Sequence, residues 1–219
     1  MEISIWKKIL VIGDSHVNRI NRRKLNYSFK RAQCVVKPFS GAKIEDLEHY
    51  IIPNLKQQQP DIAVIHVGSN NVSYKSLDID ARLFAENIVE IGKKCVEYGV
   101  EHVLIWSIFV KGSIRLSSLI RRINDVLCEL CSTNNFHFIS NDIIFGKHLC
   151  GDGVHLREIG TDIFASNIVH YINRNIFGIN QDWHDKACSE GENNAKYLSD
   201  QIFDDATASN QGSIDDLIN

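Results

Sequence analysis

The sequence predicts an α/β protein, a three-layer α/β/α sandwich in which helices cover both faces of a five-stranded parallel sheet. Five short apolar segments alternate with longer segments in which apolar residues recur every three or four positions, as on one face of a helix. The strongest of the short segments are continuously apolar, which is typical of parallel strands buried on both faces. The 219 residues are enough for one domain of this kind with a sizeable core.

Turn-forming residues bound the predicted strands. The strands are residues 8–12, 33–39, 62–67, 103–108 and 136–139. Gly13 and Gly68 end the first and third of them, and Pro38 makes the second the weakest, because proline interrupts a strand ladder. Amphipathic helices are predicted over residues 44–55, 83–95, 116–130 and 159–172. In such a sheet, ligands bind in the loops at the carboxyl ends of the strands.

The composition excludes several classes of protein. Hydrophobic residues make up 44% and charged residues 23% of the chain, the balance of a folded globular protein rather than of a disordered one. The longest uncharged apolar stretch, residues 103–110, has eight residues, far short of the ~20 that a membrane-spanning helix needs. The amino-terminal residues lack the apolar core of a secretory signal, so we expect an intracellular, cytoplasmic protein.

Charge divides the chain into two parts. Residues 180–219 contain nine acidic residues and two lysines, whereas residues 1–179 contain 22 basic and 18 acidic residues. The acidic part is rich in Asn, Ser, Gln and Gly and has no helical or strand periodicity. It is therefore predicted to be a disordered tail that follows a domain of residues 1–179, with short docking helices at its few apolar clusters as the alternative.

A basic segment runs from Arg19 to Lys43, with eight Lys or Arg side chains and no acidic one. A solvated helix face and loop accounts for such a segment. Clustered positive charge is also how proteins bind phosphates, so an anionic partner such as nucleic acid stays an open alternative.

The cysteines and glycines give no sign of a cofactor. Cys128 and Cys131 have the spacing of a metal-binding or redox pair, but no second pair or histidine doublet accompanies them. They fall in a helical pattern and are interpreted as core cysteines. The chain has no phosphate-binding glycine-rich motif, and neither a metal nor a cofactor is predicted.

Loops at three predicted strand ends carry residues that suit acyl-transfer chemistry. Ser15 follows the first strand at the start of a helix, where its hydroxyl can face a cleft and its backbone N–H is unpaired. Gly41 follows the second strand, where a backbone N–H can approach a substrate, and Asn70 follows the third, where its amide can donate to a developing negative charge. Each also has an ordinary interpretation as a helix cap or a turn residue.

Asp152 and His155 lie three residues apart, just before the last predicted helix. This spacing allows the carboxylate to hold one ring nitrogen of the imidazole while the other faces the cleft. Such a pair fixes the tautomer and stabilises the imidazolium that forms when a serine is activated.

Taken in order, four segments resemble the sequence blocks of the SGNH (GDSL-type) hydrolases: Gly13-Asp14-Ser15, Ser40-Gly41-Ala42, Gly68-Ser69-Asn70-Asn71 and Asp152-Gly153-Val154-His155. The resemblance extends over residues 8–177. It implies a flavodoxin-like SGNH hydrolase fold and the hydrolysis of carboxyl esters through an acyl-enzyme. It also implies a triad of Ser15, Asp152 and His155, with an oxyanion hole formed by the Ser15 N–H, Gly41 and Asn70.

The sequence departs from the family pattern at two positions. His16 stands where many members have Leu, and Asn71 replaces the Asp that commonly follows the third-block Asn. We expect the second change to weaken a supporting hydrogen bond in that loop. The surrounding residues also resemble, more narrowly, the esterase domains associated with retroelements.

A non-catalytic module that binds RNA or a protein partner on the same fold is the alternative to an esterase. The complete triad argues against this alternative, and the basic segment argues mildly for it. The sequence does not identify the ester: lipid, acetylated sugar and small acyl esters all fit.

Overall fold

The computed structural model describes residues 6–179 except residues 30, 74–77, 110–113 and 145. Its sheet consists of β1 (Lys7–Gly13), β2 (Ala32–Pro38), β3 (Ile62–His66), β4 (His102–Trp106) and β5 (His137–Ile139). All neighbouring strands are parallel, in the order β2-β1-β3-β4-β5. The predicted five-stranded parallel sheet is therefore confirmed, with the strand order of the flavodoxin-like folds.

The helices of the described residues lie between and after the strands. They are α1 (Ser15–Asn18), α2 (Arg22–Tyr27), α3 (Ile44–Gln58), α4 (Ala81–Glu97), α5 (Ile114–Thr133) and α6 (Glu158–Asn175). The four amphipathic stripes in the sequence correspond to α3 to α6. The connection from β1 to β2 divides into two short helices because the Asn21 side chain accepts from Lys24 N at 3.0 Å and begins α2 anew.

Two hydrophobic cores lie on opposite faces of the sheet, as the three-layer prediction requires. Side chains of β1 alternate between them: Leu10 and Ile12 enter one core, and Ile9 and Val11 enter the other. The first core also contains buried residues of α3, α4 and α5, and the second those of α1, α2 and α6. Burial of both faces explains why the central strands are continuously apolar in sequence.

Pro38 ends β2 without disturbing the sheet. β2 is an edge strand that pairs only with β1, so one side of its backbone needs no ladder partner. Proline is tolerated at such an edge because its missing N–H leaves no central hydrogen bond unmade. The predicted second strand is thus confirmed, and Pro38 marks its end.

The carboxyl ends of the first three strands lie side by side. Gly13 is level with Pro38 on one side and with His66 on the other. A Cβ atom on Gly13 would lie 2.1 Å from the His66 carbonyl oxygen, so glycine is required by this close approach. The loops that carry Ser15, Gly41 and Asn70 consequently leave the sheet at one edge.

Two further expectations concern the cysteines and membrane insertion. Cys131 is buried but Cys128 is exposed, so the core interpretation is confirmed for the first and wrong for the second. Positions three apart on a helix differ by about 60° in direction, which is enough to turn one of them to solvent.

Among the described helices, none combines the length and apolarity needed to cross a bilayer. The predicted tail, residues 180–219, lies outside the described residues.

Candidate active site

One cavity of about 420 Å³ contains four of the five residues singled out in the sequence. Ser15, Gly41, Asn70 and His155 line it together with Asn18, Arg19 and Ser40. The fifth, Asp152, contacts His155. These residues come from loops after three different strands and from the segment before α6, so only the parallel topology brings them together.

Ser15 is the first residue of α1 and is half-buried at the cavity. Asp14 is the N-cap of this helix, and its Oδ1 accepts from His16 N at 3.0 Å. Within the described part of the chain, the Ser15 backbone N–H has no hydrogen-bond acceptor. Ser15 therefore presents both a hydroxyl and a free backbone donor next to the cavity.

His155 and Asp152 form a carboxylate–imidazole pair. His155 Nδ1 lies 2.6 Å from Asp152 Oδ2, and Asp152 Oδ1 accepts from the backbone N–H groups of Val154 and His155, each at 2.9 Å. The hydrogen bond from the His155 ring, reinforced by these two backbone bonds, holds the pKa of Asp152 well below its ordinary value. A charged Asp152 is an acceptor only, so the Nδ1 atom of His155 carries the proton and Nε2 is left as a base.

Gly41 and Asn70 line the cavity on loops that follow β2 and β3. Gly41 has a φ of +81°, a conformation that favours glycine, and a Cβ atom there would meet nothing within 4 Å. Asn70 Nδ2 donates to the Ala42 carbonyl at 2.9 Å. This bond uses one of the two amide hydrogens and joins the two loops, so the second hydrogen is oriented by the first.

Asn71, the departure in the third block, holds the start of α3. Its Oδ1 accepts from Ile44 N at 3.0 Å, and its Nδ2 lies 3.2 and 3.1 Å from the two carboxylate oxygens of Glu45. An amide oxygen accepts the Ile44 bond as a carboxylate oxygen would, and the amide nitrogen adds a contact that a carboxylate could not make.

His16, the other departure, belongs to a buried polar cluster that our interpretation of the sequence missed. Asp14 and His66 are 0% exposed and His16 is 1% exposed. His16 Nδ1 lies 3.0 Å and His66 Nε2 lies 3.9 Å from Asp14 Oδ1. Two signals pointed to it: a histidine where Leu is usual, and a histidine at the end of the otherwise apolar β3.

The electrostatics of this cluster favour a charged carboxylate. Burial raises the pKa of Asp14, but the positive potential of His66 and the hydrogen bond from His16 outweigh burial and lower it overall. One ligating atom from each of Asp14, His16 and His66 lies within 4.8 Å of the others, as in a three-ligand metal site. The 3.0 Å contact between His16 and Asp14 has the length of a hydrogen bond between acid and imidazole, so we assign no metal to the cluster.

Some of the predicted basic segment is engaged within the chain. Arg19 Nη1 donates to the Leu156 carbonyl at 2.8 Å, and Lys24 Nζ lies 2.9 Å from Asp162 Oδ2. Arg22 and Arg23 are exposed, and residue 30 lies outside the described residues. Nucleic-acid binding by this segment stays a prediction.

Comparisons by sequence found no match, either to a family model or to a curated protein. Solved structures match clearly. A lipase/acylhydrolase from Enterococcus faecalis has a TM-score of 0.62 at 21% identity, over 76% of this chain and 95% of its own. A GDSL-like lipase from Bacteroides thetaiotaomicron has a TM-score of 0.60 at 15% identity, over 77% of this chain and 88% of its own.

An acetylxylan esterase from Geobacillus stearothermophilus, solved as catalytic mutants, has a TM-score of 0.65 at 18% identity, over 78% of this chain and 96% of its own. Its mutated residues are a serine, an aspartate and a histidine, the last two separated by three positions like Asp152 and His155. The likeness to retroelement-associated domains is not addressed by these structures and stays a prediction. The described residues have the fold of the GDSL-type lipases and acetylxylan esterases, the SGNH hydrolase fold that the sequence blocks implied.

Proposed function

We propose that the chain is a serine hydrolase that cleaves carboxyl esters through an acyl-enzyme. Ser15, Gly41, Asn70 and His155 line one cavity, and the ring of His155 is held by Asp152 at 2.6 Å; this juxtaposition carries the proposal. It supplies a nucleophile, oxyanion donors, a base and an orienting acid, which are the groups that acyl transfer needs. The solved catalytic mutants of an acetylxylan esterase, at a serine, an aspartate and a histidine, support the same assignment.

In the acylation step, Ser15 Oγ attacks the ester carbonyl carbon while His155 Nε2 takes the hydroxyl proton. The imidazolium that forms keeps its Nδ1–H on the charged Asp152, which stabilises it without taking the proton. His155 then gives the Nε2 proton to the leaving alcohol. The bond from Ser15 to the acyl carbon has formed, and the bond from that carbon to the alcohol oxygen has broken.

The carbonyl oxygen gains negative charge during this attack. We assign its stabilisation to the backbone N–H groups of Ser15 and Gly41 and to the Asn70 side-chain amide, because donors fixed before the reaction cost no reorganisation at the transition state. Water then repeats the attack on the acyl-enzyme, with His155 again as base, and releases the acid and free Ser15.

The size and the polar lining of the cavity favour a small substrate. Its volume is about 420 Å³, and Asn18, Arg19 and Ser40 add polar side chains to its lining. A short acyl group, such as acetyl, on a polar alcohol suits these walls better than a long lipid chain does. We therefore expect p-nitrophenyl acetate or butyrate to be hydrolysed faster than long-chain esters.

The decisive experiment replaces the nucleophile. Ser15→Ala is expected to abolish hydrolysis of p-nitrophenyl acetate and covalent labelling by a fluorophosphonate, because both reactions need the Ser15 oxygen. Ser132→Ala, at an exposed position on α5, is the matched control and should keep both activities. Circular dichroism and thermal unfolding check that each variant is folded.

Two results would contradict the proposal. One is wild-type protein that neither hydrolyses the ester panel nor reacts with the fluorophosphonate. The other is labelling or hydrolysis that persists in Ser15→Ala, which would place the nucleophile elsewhere.

A further inference from the structure

The ring of His16 lies between two hydrogen-bond acceptors. Its Nδ1 is 3.0 Å from Asp14 Oδ1, and its Nε2 is 3.0 Å from the carbonyl oxygen of Val154. A neutral imidazole has one N–H and can donate to only one of these two oxygens. A carbonyl oxygen can only accept, so His16 Nε2 donates to Val154, and the Nδ1 contact joins the same ring to Asp14 Oδ1.

The surroundings of His16 fix the position of its ring. Asp14 is fully buried beside it, and its Oδ1 also accepts from the backbone N–H of His16. Asp14 Oδ1 thus contacts His16 twice, through the ring and through the backbone, whereas Asp14 Oδ2 has no hydrogen-bond partner among the described residues. The lowered pKa of Asp14, in which His66 and His16 outweigh burial, agrees with a charged carboxylate here.

Two other histidines face the same ring. His66 on β3 has its ring centre 5.4 Å from that of His16, and His155 has its ring centre 6.2 Å away with Asp152 as its own partner. Phe109 packs against His16 at 4.8 Å and adds no charge. Of the two buried histidines, His16 makes the closer approach to Asp14, 3.0 Å against 3.9 Å for His66.

The bond to Val154 reaches the loop that carries the triad acid and base. Val154 immediately precedes His155, and its N–H donates to Asp152 Oδ1. Arg19, from the end of α1, makes a second connection by donating to the Leu156 carbonyl at 2.8 Å. The short helix that begins with Ser15 is thereby tied, on both sides of His155, to the loop that has to bring His155 to Ser15.

We propose that His16 is a positioning residue whose ring bridges Asp14 and the Val154 carbonyl, and that this bridge holds the Asp152–His155 loop against Ser15. This role rests on the proposed hydrolase function. Loss of the bond to Val154 would loosen the loop and displace His155 from Ser15.

Two substitutions separate the bridge from simple packing. His16→Leu fills the space but donates nothing, whereas His16→Gln keeps an amide donor that can reach Val154 and carries no charge. We expect kcat to fall about 10²-fold in His16→Leu, with a smaller change in KM, because a displaced base costs rate more than binding. His16→Gln should lose less, because its amide can still donate to the Val154 carbonyl. If His16 only packs, Leu is the better replacement and the order reverses.

His49→Gln is the matched control, since His49 is an exposed histidine on α3. It should keep the wild-type kcat and KM. A kcat in His16→Gln as low as that of His16→Leu, or an unchanged kcat in His16→Leu, would overturn the proposal.

A spectroscopic measurement tests the bond to Val154 without any substrate. In Ser15→Ala protein with ¹⁵N-labelled histidine, the Nε2 atom of His16 should carry a proton that exchanges slowly with solvent, because the buried ring donates it to the Val154 carbonyl. A His16 ring without a proton on Nε2 overturns the proposal even if the wild type hydrolyses esters. A protonated Nε2 at His16 in a protein without hydrolase activity would instead retain the bridge and refute the proposed function.

Discussion

At the scale of single residues, the same side chain serves different purposes because its surroundings differ. His155 and His16 each pair with a carboxylate, at 2.6 Å and 3.0 Å. The second nitrogen of His16 is bound to Val154, whereas Nε2 of His155 has no hydrogen-bond partner among the described residues. In the proposed mechanism His155, rather than His16, is therefore the base that accepts the proton from Ser15. In the sequence both histidines lie near an aspartate, so the sequence alone does not show which one is the proposed base and which one is the proposed positioning residue.

Asp152, the acid of the proposed triad, gives a prediction at this scale. Asp152→Asn is expected to lower kcat by about 10⁴-fold, because an amide nitrogen facing Nδ1 makes that atom an acceptor and places the ring proton on Nε2, where the base is needed. The loss would be seen in steady-state hydrolysis and in the rate of fluorophosphonate labelling. Asp125→Asn, at an exposed aspartate on α5, should change neither rate. Normal turnover in Asp152→Asn would remove Asp152 from the triad.

At the scale of elements, the strands and long helices were predictable because their signals are local. The continuous apolar run of β3 and the apolar stripe of α5 each indicate, from local sequence alone, which residues are buried. The contact between Gly13 and the His66 carbonyl was not predictable, since it depends on which strands become neighbours. The same holds for the bond from His16 to Val154, whose partners are 138 positions apart in sequence. The catalytic blocks were predictable only through their resemblance to a family, because no local pattern in the chain gives the distances between them.

The junction of β1 and β3 gives the prediction for this scale. Gly13→Ala is expected to destabilise the fold by about 1–3 kcal/mol or more, because its Cβ would lie 2.1 Å from the backbone oxygen of His66 and the paired strands would have to shift. Gly146→Ala is the control, since a Cβ there meets nothing within 4 Å. Denaturant unfolding measures both changes. Equal stability of the two variants would mean that β1 and β3 do not approach as closely as described.

At the scale of the whole molecule, two hydrophobic cores pack against opposite faces of one sheet. The same strands send alternate side chains to the two faces, so loss of the sheet exposes both cores. Each core contains a buried cysteine that can report on it: Cys34 on β2 in one, and Cys95 on α4 in the other. Burial raises the pKa of both thiols to about 12, so neither is a reactive thiolate in the folded protein.

This arrangement predicts a single unfolding transition seen from both faces. At about pH 8 the exposed Cys128 should react with iodoacetamide in the native protein, whereas Cys34 and Cys95 should stay unmodified because each thiol is both buried and protonated. In increasing urea, Cys34 and Cys95 should become reactive at the same midpoint, as peptide mapping by mass spectrometry would show, since loss of the shared sheet exposes both cores together. Protein fully unfolded in urea, in which all three thiols react, is the control. Separate midpoints for Cys34 and Cys95 would show that the two faces unfold independently, and the sheet would then not be the element that couples them.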